Sequence, residues 1–252
     1  MALATIIFAL AVFSVIYYET KRNIKIPLRD FPAIEKIRYG IALAGEQGKG
    51  VVFTTGLTGI GPLLYACLEI LKEVARRCAR LGIKLIVPQN DPPSLALVTK
   101  TLEQVYAEEG KISRFDPQSV PFLSEEQFAF AAGYIGLVKR QDIGCAFLFG
   151  SFAGEALILA ESGKNAGAFQ VAGSVSPEQL AFFVATCDET AFGDEVYAIS
   201  AKLSQNWKLL SNLRIADILK LVILTFLIIG SVCLAFELEF FERFRRFLFQ
   251  VG

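Results

Sequence analysis

Two uncharged apolar runs bracket this chain, Ala2 to Tyr18 (ALATIIFALAVFSVIYY) and Leu221 to Phe236 (LVILTFLIIGSVCLAF), so only the middle is left to fold around a core of its own. A helix needs about 20 apolar residues to cross ~30 Å of hydrocarbon, and both runs sit near the lower limit. Lys220 can snorkel, which lets Ile215 to Leu219 lengthen the second run. Each run is therefore expected to be a transmembrane helix. Composition agrees: 54% hydrophobic residues against 20% charged, with a mean hydropathy of +0.48, is too apolar for an ordinary soluble domain.

The flanks suggest how the runs are used. "MALAT" has no basic leader, and "ETKRNIK" stands after Tyr18 where a small-residue cleavage site would be needed, so the first run reads as an uncleaved anchor. Lys21, Arg22, Lys25 and Arg29 follow it, while Lys202, Lys208, Arg214 and Lys220 precede the second. By the positive-inside rule, the middle of the chain is expected on the cytoplasmic side of the cell membrane. Five cysteines, an odd number with no CxxC spacing, fit a reducing compartment. A formal net charge of +0, without a basic patch, argues against nucleic acid as a partner.

The expected organisation is a transmembrane helix over 1–20, a linker and first helix over 21–50, an α/β domain over 51–210, a second transmembrane helix over 215–236 and an amphipathic tail over 237–252. Within the domain, buried runs such as "VVFTT", "IKLIVP", "GCAFLFG" and "GAFQVAG" alternate with helical segments. A short strand is also expected around "SVPFL". Asp91 is placed to cap one helix, and Ser124 with Gln127 has capping-box spacing ahead of another. Alternation of this kind predicts a Rossmann-like parallel sheet with helices on both faces. The order strand, glycine turn, helix, strand, proline-capped helix occurs twice, a faint echo of internal duplication.

The stretch "VVFTTGLTGIGPLL" is the one place that suggests a ligand. A dinucleotide fingerprint runs G-x-G-x-x-G, whereas Gly56, Gly59 and Gly61 spell G-x-x-G-x-G, and Thr58 has no lysine beside it as a P-loop would require. The turn still aims a helix N-terminus beyond the strand, which makes Gly56, Thr58, Gly59 and Gly61 candidates for a small anion or a nucleotide phosphate. Packing of strand against helix is the stronger reading.

The chain contains no histidine, which removes imidazole acid–base chemistry, the Ser-His-Asp triad and the commonest metal ligand together. No metal, cofactor or catalytic residue is expected. Five candidate acids stand in small, apolar surroundings: Glu155 and Glu161 in "GEALILAESG", then Asp188, Asp194 and Glu195 in "CDETAFGDEVYA", a stretch that also holds Glu189. A buried carboxylate either finds a partner or has its pKa raised, as catalytic acids do. Capping and subunit contact are the more ordinary uses, since Asp194 and Glu195 fall in the first turn of a helix.

The tail "FELEFFERFRRFLFQVG" places Phe236, Phe240, Phe244 and Phe247 at helical spacing, with Glu239–Arg243 and Glu242–Arg246 as i,i+4 pairs. It suits a prolonged span, an interfacial helix or a subunit contact.

Two blocks, "AIEKIRYGIALAGEQGKGVVFTTG" and "LILAESGKNAGAFQVAGSVSPEQLAFFVATCDETAFGDEVYAISAKLS", resemble an uncharacterised prokaryotic family of membrane-anchored domains of unknown function. The likeness covers roughly residues 30 to 205. Gly56, Glu161, Gly163, Gly167, Gly173, Phe182, Cys187, Asp188 and Glu195 fall on matching positions. "IRYGIALAGEQG" departs from the family's "VGRATEMG", so no role of the family's arginine carries over. The resemblance implies the architecture and no activity.

The expected function is a membrane-anchored, non-enzymatic domain that forms homo-oligomers or scaffolds a complex, with the lipid bilayer and other membrane proteins as partners. A nucleotide- or small-anion-binding protein is the alternative. A hydrolase using Asp188 or Glu195 ranks third.

Overall fold

The computed structural model describes Ser14, residues 30–204 and residues 207–235, the last with part of its side chains. Apart from Ser14, the run 2–18, expected as a span, lies outside these residues, as does the tail 237–252, expected as an amphipathic helix. The chain divides into a unit of Leu28–Gln205 and a second unit made of Met1–Pro27 and Asn206–Gly252. The first helix therefore belongs to the globular unit.

The globular unit is an α/β domain. Its elements run α1 (Pro32–Glu46), β1 (Gly50–Gly56), α2 (Pro62–Leu81), β2 (Leu85–Ile86), α3 (Pro92–Glu108), α4 (Gln127–Arg140), β3 (Ile143–Ser151), α5 (Ala156–Asn165), β4 (Phe169–Ser174), α6 (Pro177–Thr186), β5 (Glu189–Phe192) and α7 (Glu195–Ser204). The five strands form one sheet in the order β2-β1-β3-β4-β5, and every pairing is parallel.

Strands that read as unbroken apolar runs are those covered on both faces. β1 is buried along its whole length, and β3 is buried except at Ser151. Alternate residues serve opposite layers. Val51 and Phe53 face the core shared with α1, α2, α3 and α7, joined there by Cys145, Phe147 and Phe149. Val52, Ala146 and Leu148 face the core shared with α4, α5 and α6. Phe53 stacks on Phe149 at 6.1 Å between ring centroids, tying the two central strands together. The predicted parallel sheet with helices on both faces is present.

Three expectations need correction. "SVPFL" is not a strand: Pro117–Ser119 forms a 3-10 turn, and only Phe122 makes a bridge, to Gln89. The segment still pairs with the end of β2, through Val87 N–H to Ser119 O and Gln89 N–H to Pro121 O. Pro88 and Pro121 have no N–H to donate, so no regular ladder forms. For the same reason β2 shrinks from "IKLIVP" to Leu85–Ile86. The strand β5 had no clear signal, being four residues at the sheet edge between two helices. The helix α4 starts at Gln127 rather than Ser124, whose Oγ instead accepts the Glu126 N–H at 3.1 Å.

Outside the globular unit, α8 (Trp207–Ala235) is a helix of 29 residues. Counting only described residues, no helix is long and apolar enough to cross a membrane, so the span expected over 215–236 is not supported. Along α8, Leu221, Ile223, Leu224, Leu227, Ile228 and Val232 are exposed.

Candidate functional site: the switch point between the two central strands

In a doubly wound sheet of order 2-1-3-4-5, ligands bind beyond the carboxyl ends of β1 and β3, where the strand order reverses. The glycine turn leaves β1 at this point. Gly56 has φ 61°, and a Cβ there would collide with the Ser151 carbonyl and the Phe152 ring. Gly150, at the end of β3, approaches the Thr55 carbonyl so closely that a Cβ would overlap it. Glycine is thus required on both strands because the two backbones nearly touch.

Thr58 closes what remains of the crevice. Its buried hydroxyl donates to the Thr55 carbonyl and accepts the Ser151 N–H at 2.7 Å, while the neighbouring Leu57 N–H donates to Ser151 O at 2.8 Å. The Thr55 hydroxyl donates to Gln89 Oε1 at 3.2 Å, so the turn is also held to the segment after β2. Asp91 caps α3 as expected, accepting the Ser94 N–H at 2.9 Å. Of the four candidate residues, Gly56 and Thr58 are consumed in this stitching. Gly59 and Gly61 are different, with nothing within 4 Å of a built Cβ, and Gly61 is the N-cap of α2 without a side-chain cap.

Charge at this edge is one-sided. The segments that cross the carboxyl edge (57–61, 87–91, 122–126, 152–155, 175–176 and 193–194) contain Asp91, Glu125, Glu126, Glu155 and Asp194, and Glu178 and Glu195 stand in the first turns of α6 and α7. None contains lysine or arginine. A phosphate placed before α2 would meet backbone amides, no cation and a surrounding acidic field.

The five candidate acids do not converge. Glu155 is fully buried at the start of α5, with both carboxylate oxygens 3.0 Å from the Ala153 N–H. Glu195 accepts the Phe192 N–H at 3.0 Å, and Asp194 precedes α7, as first-turn acids do. Asp188 lies at the opposite edge, where its carboxylate accepts the Gln170 N–H at 2.7 Å and its own N–H donates to Gln170 O, latching the start of β5 to β4. Glu161 is also near that opposite edge, on α5. Among the described residues, no three groups of the His, Cys, Asp or Glu type are arranged to hold a metal.

The four described cysteines offer no activated nucleophile. Burial pushes the thiols of Cys67 and Cys145 up, and Cys78 and Cys187 up to about 12, so the thiolate is scarce at neutral pH.

The amino edge contrasts with the carboxyl edge. Lys49, Lys84, Lys139, Arg140 and Lys164 gather there at strand starts and helix ends. A cleft of about 470 Å³ opens between α4 and α5, lined by Ile135, Val138, Ile143 and Ile158 together with the charged residues Lys139, Asp142 and Glu161. This grouping had a sequence signal that is visible once the elements are assigned: basic residues recur at helix C-termini and skip every strand-to-helix turn.

Fold and site together define a doubly wound, parallel α/β domain whose switch point is occupied by its own backbone. Residues 1–245 match the family described as a domain of unknown function, DUF6754, and the chain belongs to that family. Comparison with curated proteins and with solved structures gives no match.

Proposed function

We propose that this protein is a membrane-anchored, non-enzymatic α/β domain that self-assembles or scaffolds a complex at the cytoplasmic face of the cell membrane. The observation that carries this reading is the meeting of the two ends of the globular unit. Lys202 Nζ lies 2.7 Å from Asp30 Oδ1 and 5.8 Å from the centroid of the Phe31 ring. Residues 30 and 202 are thus neighbours although the whole domain lies between them. Ends that leave together suit two apolar runs seated in one membrane, with the domain held on a single side. The exposed apolar side chains of α8 support the same seating, since such a surface in water is costly and finds lipid or a partner.

The non-enzymatic part rests on the stitched, cation-free switch point and on thiols raised by burial. Anion or nucleotide binding at Gly56, Thr58, Gly59 and Gly61 remains the competing reading, supported by the open space before α2. A carboxylate hydrolase is less favoured, because Asp188 and Glu195 stand at opposite ends of β5, each holding a backbone amide.

Native mass spectrometry of the full chain in mild detergent tests the proposal, alongside an alkaline carbonate wash of the membranes. Expected results are retention in the washed membranes and a defined oligomer without added mass. A monomer carrying a few hundred daltons of ligand would favour the anion binder, and release by carbonate would end the membrane reading.

A further inference from the structure

We infer that two copies of this domain pair across a two-fold axis, the outer face of the α4–α5–α6 layer of one copy meeting the same face of the other. The inference rests on the self-assembly reading above and names the surface that would perform it.

The two helical layers of the domain differ on their outward sides. On one side of the sheet, α2 carries Glu69, Lys72, Glu73, Arg76, Arg77 and Arg80, paired with one another and with Glu108 and Glu109. A surface laced with charge in this way is satisfied by water. On the other side, α4, α5 and α6 lie next to one another over the second core. No aspartate, glutamate, lysine or arginine occurs at 127–138, 156–160 or 179–186. The inward sides of these helices are filled by fully buried Phe130, Tyr134, Leu159 and Phe183. Their outward sides are apolar as well. Phe128 (64% exposed) and Ala132 stand out from α4, half-buried Ile158 from α5, and Phe182 (39%), Val184 (56%) and Ala185 from α6. Charge appears only at the ends of the layer, with Glu125, Glu126 and Glu178 at one end and a mixture of Lys139, Arg140, Glu161 and Lys164 at the other.

Area and neutrality select a second copy as the occupant. The three helices have 14, 10 and 10 residues. At ~1.5 Å per residue and a width of about 10 Å, they cover roughly 500 Å² in projection and about 800 Å² once the curvature of each helix is counted. A stable interface takes about 800 Å² from each partner, more than the roughly 300–600 Å² of apolar patch that a typical monomer leaves open. In a two-fold contact the same patch serves both subunits, so residues near the axis meet their own kind. A charged patch repels itself there, and the uncharged middle of this layer does not. Phe128, Phe182 and Val184 then supply the apolar centre, and the charged helix ends fall in the solvated rim. A bilayer is a poorer occupant. The cytoplasmic leaflet is anionic and attracts lysine and arginine, whereas this face has neither across its middle and three glutamates at one end. The chain ends meet at Asp30 and Lys202 beside Glu73 and Arg76, on the α2 side of the sheet, and so stay clear of the contact.

The test uses the full-length protein in mild detergent, with subunit number read by light scattering. Ala132→Glu on α4 and Ala185→Glu on α6 place a charge on the face, and Ala96→Glu on α3 places one on the opposite layer. All three alanines are exposed, and circular dichroism checks that each variant folds. The wild type is expected to hold an even number of chains, both face variants to fall to half its mass, and Ala96→Glu to keep it. Because α5 is the middle helix, Ile158→Cys stands near the axis, and a short bismaleimide is expected to join it to its own equivalent in a covalent dimer that the wild type does not form. Face variants that keep the wild-type mass would overturn this contact and leave self-assembly standing by another surface. An equal fall in mass for Ala96→Glu would overturn the assignment to this layer. A wild type that is a single chain throughout would overturn the contact and the self-assembly reading together. A single chain whose Ile158→Cys thiol is shielded from a water-soluble maleimide only in vesicles of phosphatidylcholine and phosphatidylglycerol would assign the face to lipid, and one carrying a different protein that both face variants lose would assign it to that protein; either result overturns the pairing.

Discussion

The two edges of the sheet are made from the same strands and helices, yet they differ in almost every property that bears on binding. At the carboxyl edge the loops after β1 and β3 are stitched by Thr58, and the side chains are acidic and aromatic. At the amino edge the charges are mixed, Lys49, Lys84, Lys139, Arg140 and Lys164 standing with Asp142, Glu161 and Asp188, and a cleft of about 470 Å³ stays open between α4 and α5. Part of this polarity follows from helix electrostatics, since acids favour helix N-termini and bases C-termini, and every connecting helix here runs antiparallel to the strands. The lesson lies in what the polarity leaves over. The edge where doubly wound folds bind ligands is closed and negative, and the open, partly apolar space lies at the other end.

The largest effect is expected where the stitched edge is most crowded. Gly150→Val sets a side chain against the Thr55 carbonyl, and Gly56→Val combines a collision with Ser151 O and a left-handed φ of 61°. Each is expected to cost about 2 to 5 kcal/mol, the sum of overpacking and backbone strain. Urea unfolding of the two variants measures this, and a loss under about 1 kcal/mol would mean that the two backbones can separate. Thr58→Val comes next. It leaves the Ser151 N–H without its acceptor, at about 1 to 3 kcal/mol, and Thr58→Ser is expected to restore most of the loss.

A smaller effect concerns the junction of the domain's ends. The hydrogen bond and charge of Lys202 hold the Asp30 carboxyl below its ordinary value. A carboxyl whose pKa is lowered on folding contributes stability above its unfolded value and loses it as pH falls through the folded one. The difference in thermal midpoint between wild type and Asp30→Asn is therefore expected to be present at pH 7 and to shrink as pH falls below the ordinary aspartate value of about 3.9. A difference that grows on acidification would reverse the sign. The least effect is expected at Gly59→Val, where the built Cβ meets nothing within 4 Å. Its stability should stay within about 0.5 kcal/mol of wild type. A folded Gly59→Val protein that loses a phosphate-dependent rise in melting temperature seen in wild type would revive the anion site.

Legibility in the sequence followed the strength of local signals. β1, β3 and β4 were readable as apolar runs, and α2 and α3 as amphipathic segments with a proline start and, for α3, the Asp91 cap. β5 was not, because "ETAF" is short and its place in the sheet depends on the Asp188 latch to Gln170, a contact formed only once β4 is laid down. "SVPFL" misled in the other direction, since its apolar residues suit a strand while the prolines at 88 and 121 forbid a regular ladder. The glycine turn was found, but its meaning needed its partner: nothing in "TTGLTG" announces that Thr58 bonds to Ser151, 93 residues away.

The sequence by itself determined the family, the parallel α/β class, the want of histidine chemistry and the two uncharged terminal runs, because composition and short-range periodicity are properties of the chain before it folds. Only the tertiary structure decided that the phosphate-like turn is closed by backbone contact and that the five scattered acids sit at two edges rather than in one cluster. The same holds for the pairing of Asp30 with Lys202. Strand order and register bring together residues far apart in the chain, and a one-dimensional pattern carries no record of which distant segments become neighbours.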